Sequence, residues 1–135
     1  MVQATPLLLV LFLALGAHGI SAEECSLTGS WINDLGSTMT IASLDANGDF
    51  IGAYYTAVSA TSNEIKESLL LGSQQMGPDQ MGQPTFGFTV HWNFSDSITV
   101  FTGQCFVEEN QTEVLRAMWL LRSHADKREN DWNAT

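Results

Sequence analysis

At 135 residues the chain is long enough for one domain with its own core, and a hydrophobic share of 44% against a charged share of 15% places it among globular sequences. Its formal charge is −10, and of its five basic residues only Lys127 and Arg128 are adjacent. Recognition built on clustered phosphate contacts is thereby excluded, so neither nucleic acid nor an anionic membrane surface is an expected partner.

The first element is an apolar run from Leu7 to Leu15, too short to span a bilayer as a helix. Small residues follow, with plausible cleavage points after Gly19 and Ala22, and every charged side chain lies beyond Ala22. This pattern predicts a secretory signal peptide over residues 1–22, although no Lys or Arg precedes the run, and a secreted mature domain over residues 23–135. No second long apolar run occurs. In a secreted chain the two cysteines, Cys25 and Cys105, make a disulfide the economical reading and two free thiols the alternative. Secretion also brings three glycosylation sequons into play, at Asn93, Asn110 and Asn133, of which Asn110 sits in a predicted turn and is the best placed.

Short β-type segments alternate with turn signals through the mature region, which favours an antiparallel sandwich or barrel. A first strand is predicted over 28–33 around Trp31, broken by Asp34-Leu35-Gly36. A second covers 38–44, with Met39 and Ile41 on one face. Asp45-Ala46-Asn47-Gly48-Asp49 reads as a hairpin turn, because Asn and Gly both tolerate positive φ. Its acidic residues do not fit a calcium loop of the EF-hand kind, whose sixth position is Gly and twelfth Glu; here Gly48 is fourth and the twelfth is Thr56. The third strand, 50–56, puts Phe50, Gly52, Tyr54 and Thr56 on one face. A small polar loop spans 57–63. Residues 64–71 have helical propensity but a fourth-strand position, and 72–83, rich in Gly, Gln and Met, carry no strand signal and read as a loop.

The segment from Pro84 to Cys105 predicts the fifth and sixth strands. Phe86, Phe88, Val90 and Trp92 share one face of the fifth; Ser97, Thr99, Phe101, Gly103 and Cys105 share one face of the sixth. Aromatic rings and small hydroxyls converge where the two strands join, a composition suited to a small ligand with an apolar body and a few neutral polar atoms. Residues 106–112 read as a turn. The seventh strand, 114–122, is largely apolar on both faces, with Leu115, Ala117, Trp119 and Leu121 on one and Val114, Arg116, Met118 and Leu120 on the other, which points to burial against another chain. Trp132 stands in a polar tail as a candidate anchor into a partner. His91 and His124 have no recognisable catalytic neighbours, and HExxH and CxxC are absent, so neither enzymatic activity nor a metal or catalytic cofactor is expected.

Taken together, Cys25-Ser26-Leu27-Thr28-Gly29-Ser30-Trp31-Ile32-Asn33-Asp34-Leu35-Gly36-Ser37, the stretch from Tyr54 to Ser68, Pro84 to Trp92, Phe101 to Cys105 and Met118 to Ser123 resemble the avidin family, in order and over nearly the whole mature chain. The resemblance implies an all-β, up-and-down barrel of the avidin type that binds biotin at one open end, a homotetramer, and a Cys25–Cys105 disulfide. Of the family's eight strands seven are expected here, the last being absent from the sequence. The resemblance further implies that Asn33, Ser37 and Tyr54 donate to the ureido oxygen of biotin, that Thr56 accepts from a ureido N–H, and that Thr99 contacts the ring sulfur. Ala60, Thr61, Ser95 and Ser97 match carboxylate contacts, with Ser59 retaining a hydroxyl beside them. Leu35, Val58, Trp92, Phe94, Phe101, Trp119 and Leu121 match apolar walls, Ser123 a residue behind the pocket, and Trp132 a lid on a neighbouring subunit's site. The competing expectation is a secreted β-glycoprotein of the same fold that no longer binds biotin and acts through assembly or another ligand, motivated by the exposed apolar positions and the absent strand.

Overall fold

The computed structural model describes residues 24–57, 67–78 and 81–135. The expected signal peptide and the loop positions Val58, Ser59, Ala60 and Thr61 lie outside the described residues. Among the described residues seven strands follow one another: β1 (Gly29–Ile32), β2 (Thr38–Ile41), β3 (Asp49–Tyr55), β4 (Ser68–Gln75), β5 (Thr85–His91), β6 (Ile98–Val107) and β7 (Glu113–Arg122). Each pairs antiparallel with its sequence neighbour, so strand order in the sheet equals chain order, with β1 and β7 at its edges. The expected up-and-down architecture is observed, with seven strands among the described residues.

The sheet is curled. β3 and β6 are three strand spacings apart, roughly 14 Å along a flat sheet. Yet the rings of Tyr54 on β3 and Phe101 on β6 have centroids 5.6 Å apart, and Phe101 also stacks on Phe88 at 4.6 Å. The alternation of β5 accounts for much of this concave face. Phe86, Phe88 and Val90, with Trp92 just beyond the strand, are all buried inside, joined by Ile41, Phe50, Leu70 and Phe94.

Turns alternate between two ends. One end is closed by the segment that precedes β1. Cys25 is bonded to Cys105 of β6, with Cα atoms 5.8 Å apart. The Cys25 N–H donates to the Gly82 carbonyl at 2.7 Å, and the Ser26 N–H donates to the Glu113 carboxylate at the start of β7 at 2.9 Å. Leu27, Pro84 and both cysteines are fully buried there. The other end, formed by the β1–β2 and β5–β6 turns and the end of β7, is the open mouth.

Three expectations need correction. First, β4 continues through Gly72 to Gln75, where a loop was expected. A Cβ on Gly72 would fall 2.7 Å from the Phe50 ring and onto the Gly87 carbonyl, so the glycine is a close-packing position within the strand rather than a breaker. Second, β6 runs on to Val107, two residues into the expected turn. Third, β2 ends at Ile41, short of the expected end at Leu44. The polar tail after β7 carries a 3-10 helix, Arg128–Ala134, docked onto the end of β7 by the Ser123 N–H to Ala134 carbonyl bond at 2.7 Å and the Arg122–Asp131 ion pair at 2.6 Å. The Asp45–Asp49 turn is the hairpin expected: the Asp45 carboxylate accepts the N–H groups of Asn47 and Asp49, both at 2.9 Å, and Gly48 takes a φ of 86°.

The convex face carries an apolar band across β3, β4, β6 and β7: Ile51, Leu69, Leu71, Val100, Met118 and Leu120 are all exposed. No described helix is long and apolar enough to cross a membrane.

Candidate functional site

A cavity of about 1000 Å³ runs along the concave side, from the mouth and beside β7 to Glu108 and Glu113 at the other end. Asn33, Leu35 and Ser37 reach it from the β1–β2 turn, Tyr54 and Thr56 from β3 and its end, and Trp92, Phe94, Ser95 and Ser97 from the β5–β6 turn. Thr99 and Phe101 come from β6, and Trp119, Leu121 and Ser123 from β7 and its end. Trp132 does not line it; its ring stands 90% exposed on the 3-10 helix. Sequence reasoning did not assign the cavity positions Met39 and Phe88, or Trp31, whose indole N–H donates to the Leu27 carbonyl at 2.9 Å. The period-two alternation that placed Met39 and Phe88 on inward faces was the available signal.

One wall is a cluster of neutral polar groups. The side-chain oxygen of Asn33 accepts the N–H groups of Leu35 at 3.0 Å and Ser37 at 2.9 Å. This Asx-type turn commits the amide oxygen to the backbone and leaves the NH₂ as the end that can donate elsewhere. Ser37 is buried; its hydroxyl accepts the Ala57 N–H at 2.9 Å, lies 3.5 Å from the Thr56 hydroxyl, and bonds to the Tyr54 side chain. Burial raises the pKa of the Tyr54 phenol above its ordinary value, and the smaller effect of the Ser37 bond opposes this. Tyr54 is therefore a neutral O–H at physiological pH. Three potential donors, the Asn33 amide, the Ser37 hydroxyl and the Tyr54 hydroxyl, thus gather without a formal charge, and hydroxyl hydrogens rotate to suit an acceptor placed among them.

The opposite wall is aromatic. The Trp92 ring meets Tyr54 edge-on at 5.5 Å and Phe94 at 5.5 Å. Its indole N–H donates to the buried Thr99 hydroxyl at 2.8 Å, which fixes the ring plane. Nearer the mouth, the Ser95 and Ser97 hydroxyls are 2.6 Å apart. Trp119 on β7 is 60% exposed, so this part of the wall is open to solvent. The arrangement offers a polar end of neutral donors, apolar ring faces along the middle and hydroxyls at the rim. No cluster of His, Cys, Asp and Glu able to hold a metal occurs among the described residues.

Comparison with known proteins supplies relatives. A sequence model described as the avidin family matches residues 21–135. Avidin of Gallus gallus is 59% identical over 138 residues, an alignment that takes in 100% of this chain and 90% of that protein. Avidin-related protein 4/5 of Gallus gallus is 56% identical over 129 residues, covering 96% and 84%. Among solved structures, the biotin binding protein from chicken superposes with a TM-score of 0.79 at 51% identity, and Xenavidin with 0.78 at 50%; each superposition spans 83% of this chain and 91% of the other.

Proposed function

The chain belongs to the avidin family, and on that premise we propose that it is a secreted, non-catalytic biotin-binding protein that sequesters the vitamin in the open end of its barrel. The observation that carries this reading is the convergence of Asn33, Ser37 and Tyr54, neutral donors held by backbone and side-chain bonds at one end of an aromatic-walled cavity. The ureido oxygen of biotin accepts from these three donors. Fixed donors in a dry site bind a polarised acceptor strongly, and burying no full charge avoids its desolvation cost.

Along the ligand, the Thr56 hydroxyl accepts from a ureido N–H and Thr99 contacts the ring sulfur. Trp92, Phe94, Phe101, Trp119, Leu121, Leu35 and Val58 cover the bicyclic ring and chain by dispersion and burial. Ser95 and Ser97 hold the carboxylate at the rim together with Ser59, Ala60 and Thr61, and Ser123 backs the pocket. The exposed apolar band of Ile51, Leu69, Leu71, Val100, Met118 and Leu120 supports assembly into a homo-oligomer. In that assembly Trp132 caps the site of a neighbouring subunit.

Equilibrium dialysis of the folded chain against labelled biotin tests the proposal. Saturable retention approaching one biotin per chain is the expected result. A folded β protein that retains none would overturn it and favour the non-binding reading.

A further inference from the structure

The three sequons are not equivalent in the fold. Asn110 lies in the β6–β7 turn, at the closed end of the barrel and so at the opposite end from the mouth. Its side-chain oxygen accepts the N–H of Thr112, the hydroxyl residue of its own sequon, at 3.1 Å. The turn is further closed by the Glu108 N–H to Thr112 carbonyl and Gln111 N–H to Glu108 carbonyl bonds, both 2.8 Å, with Gln111 at a φ of 70°. This geometry fixes the amide plane. The oxygen faces the backbone, and the Nδ2 makes no hydrogen bond to the described residues. Asn110 and Thr112 are both exposed.

Asn93 is the reverse case. It sits in the β5–β6 turn at the mouth, between the buried rings of Trp92 and Phe94. Its Nδ2 donates to the Glu67 carbonyl at 2.6 Å, and its backbone N–H donates to the Ser68 hydroxyl at 3.1 Å. The atom that would carry a sugar is therefore the one tying this turn to the start of β4. A sugar there would crowd that bond and stand at the entrance of the cavity. Asn133 lies within the docked 3-10 helix, and the hydroxyl of its sequon, on Thr135, accepts from Arg122 at 3.4 Å.

We propose that the folded protein carries an N-linked glycan on Asn110 and none on Asn93, so that its sugar stands at the closed end and leaves the mouth unobstructed. The inference rests on the secretion reading above. In the transfer, the Asn110 Nδ2 forms a bond to the anomeric carbon of an oligosaccharide carried on a polyprenyl diphosphate. The anomeric C–O bond breaks, the diphosphate leaves with the bonding electron pair, and one amide proton is released.

The full chain with its own N-terminal region, expressed in a eukaryotic secretory cell, provides the test. Protein from the medium is treated with peptide N-glycosidase in heavy-oxygen water, which converts each glycosylated asparagine to a labelled aspartate read by peptide mass spectrometry. Label at position 110 and none at 93 is the expected result. Asn110→Gln then removes the glycan-dependent mobility shift attributable to that site, while Asn93→Gln leaves the shift unchanged. Biotin retention before and after deglycosylation is the same. Secreted protein with an unlabelled position 110, or with label at 93, would overturn the assignment while leaving secretion intact. A chain found only in the cytosolic fraction and bare at every sequon would overturn the secretion reading, and this assignment with it.

Discussion

The indole N–H of Trp92 donates to the hydroxyl of Thr99 at 2.8 Å, a bond between the turn and the strand that follows it, made inside the cavity wall with both residues buried. It turns a large apolar ring into a fixed wall, because rotation of the ring would leave a buried donor unpaired. Replacing Thr99 by Val keeps the shape and removes the acceptor. The expected cost is about 1–3 kcal/mol of stability, the penalty for an unsatisfied buried donor. Chemical denaturation followed by tryptophan fluorescence measures it. Thr99→Ser, which keeps the hydroxyl, is expected to recover most of the loss.

Tyr54 provides a pH signature. Its folded pKa is raised, mainly by burial, so the folded state holds the phenolic proton more tightly than the unfolded chain does. Stability from this group is fully present below the unfolded tyrosine value, about 10, and is lost as pH rises from there through the folded value. Denaturation midpoints measured at increasing alkaline pH are expected to fall in this window, and the fall is smaller in Tyr54→Phe. A wild-type and Tyr54→Phe pair with superimposable alkaline profiles would refute the assignment. The same ionisation removes a donor from the proposed ureido pocket, so biotin retention weakens over the same range.

The Cys25–Cys105 bridge joins residues 80 apart in sequence and closes the base of the barrel. The double replacement by serine, or reduction, is expected to lower stability by about 4 kcal/mol on the chain-entropy account. The shift in denaturation midpoint, read together with its slope, reports this.

Much of this arrangement is legible in the sequence. Alternation along β5 placed Phe86, Phe88, Val90 and Trp92 inward, and all four are buried. The hairpin at Asn47 and Gly48 and the inward face of β3 were readable in the same way, because they depend on local periodicity and turn chemistry. The continuation of β4 was not: Gly72 and the glutamines after it resemble a loop, and their strand character comes from the Phe50 ring and the β5 backbone packed against them. The donor cluster was readable as residue types only through family resemblance. Its wiring, in which Ser37 joins the backbone of Ala57 to the hydroxyls of Thr56 and Tyr54, depends on β1–β2 and β3 contacts that no local pattern encodes. The docked 3-10 helix escaped for the same reason, since Ser123 and Ala134 meet only in the fold.

Trp132 is exposed and buries nothing within its own chain, so Trp132→Ala is expected to leave stability within about 0.5 kcal/mol of the parent. If it caps a neighbour's site, the same variant releases biotin faster in the assembled protein. A dissociation-rate measurement with labelled biotin separates the two effects.

The most direct test of the account is a paired titration, followed by intrinsic tryptophan fluorescence, with biotin and with an analogue whose ureido oxygen is replaced by an imino group. At neutral pH the analogue is a cation that presents N–H donors to Asn33, Ser37 and Tyr54 instead of an acceptor. Saturable binding of biotin, with the analogue weaker by about tenfold to a hundredfold or more, is the predicted result, since unpaired donors cost about 1–3 kcal/mol before the cation's own desolvation is counted. Equal affinity for the two ligands would contradict the claim that this neutral donor cluster recognises the ureido oxygen.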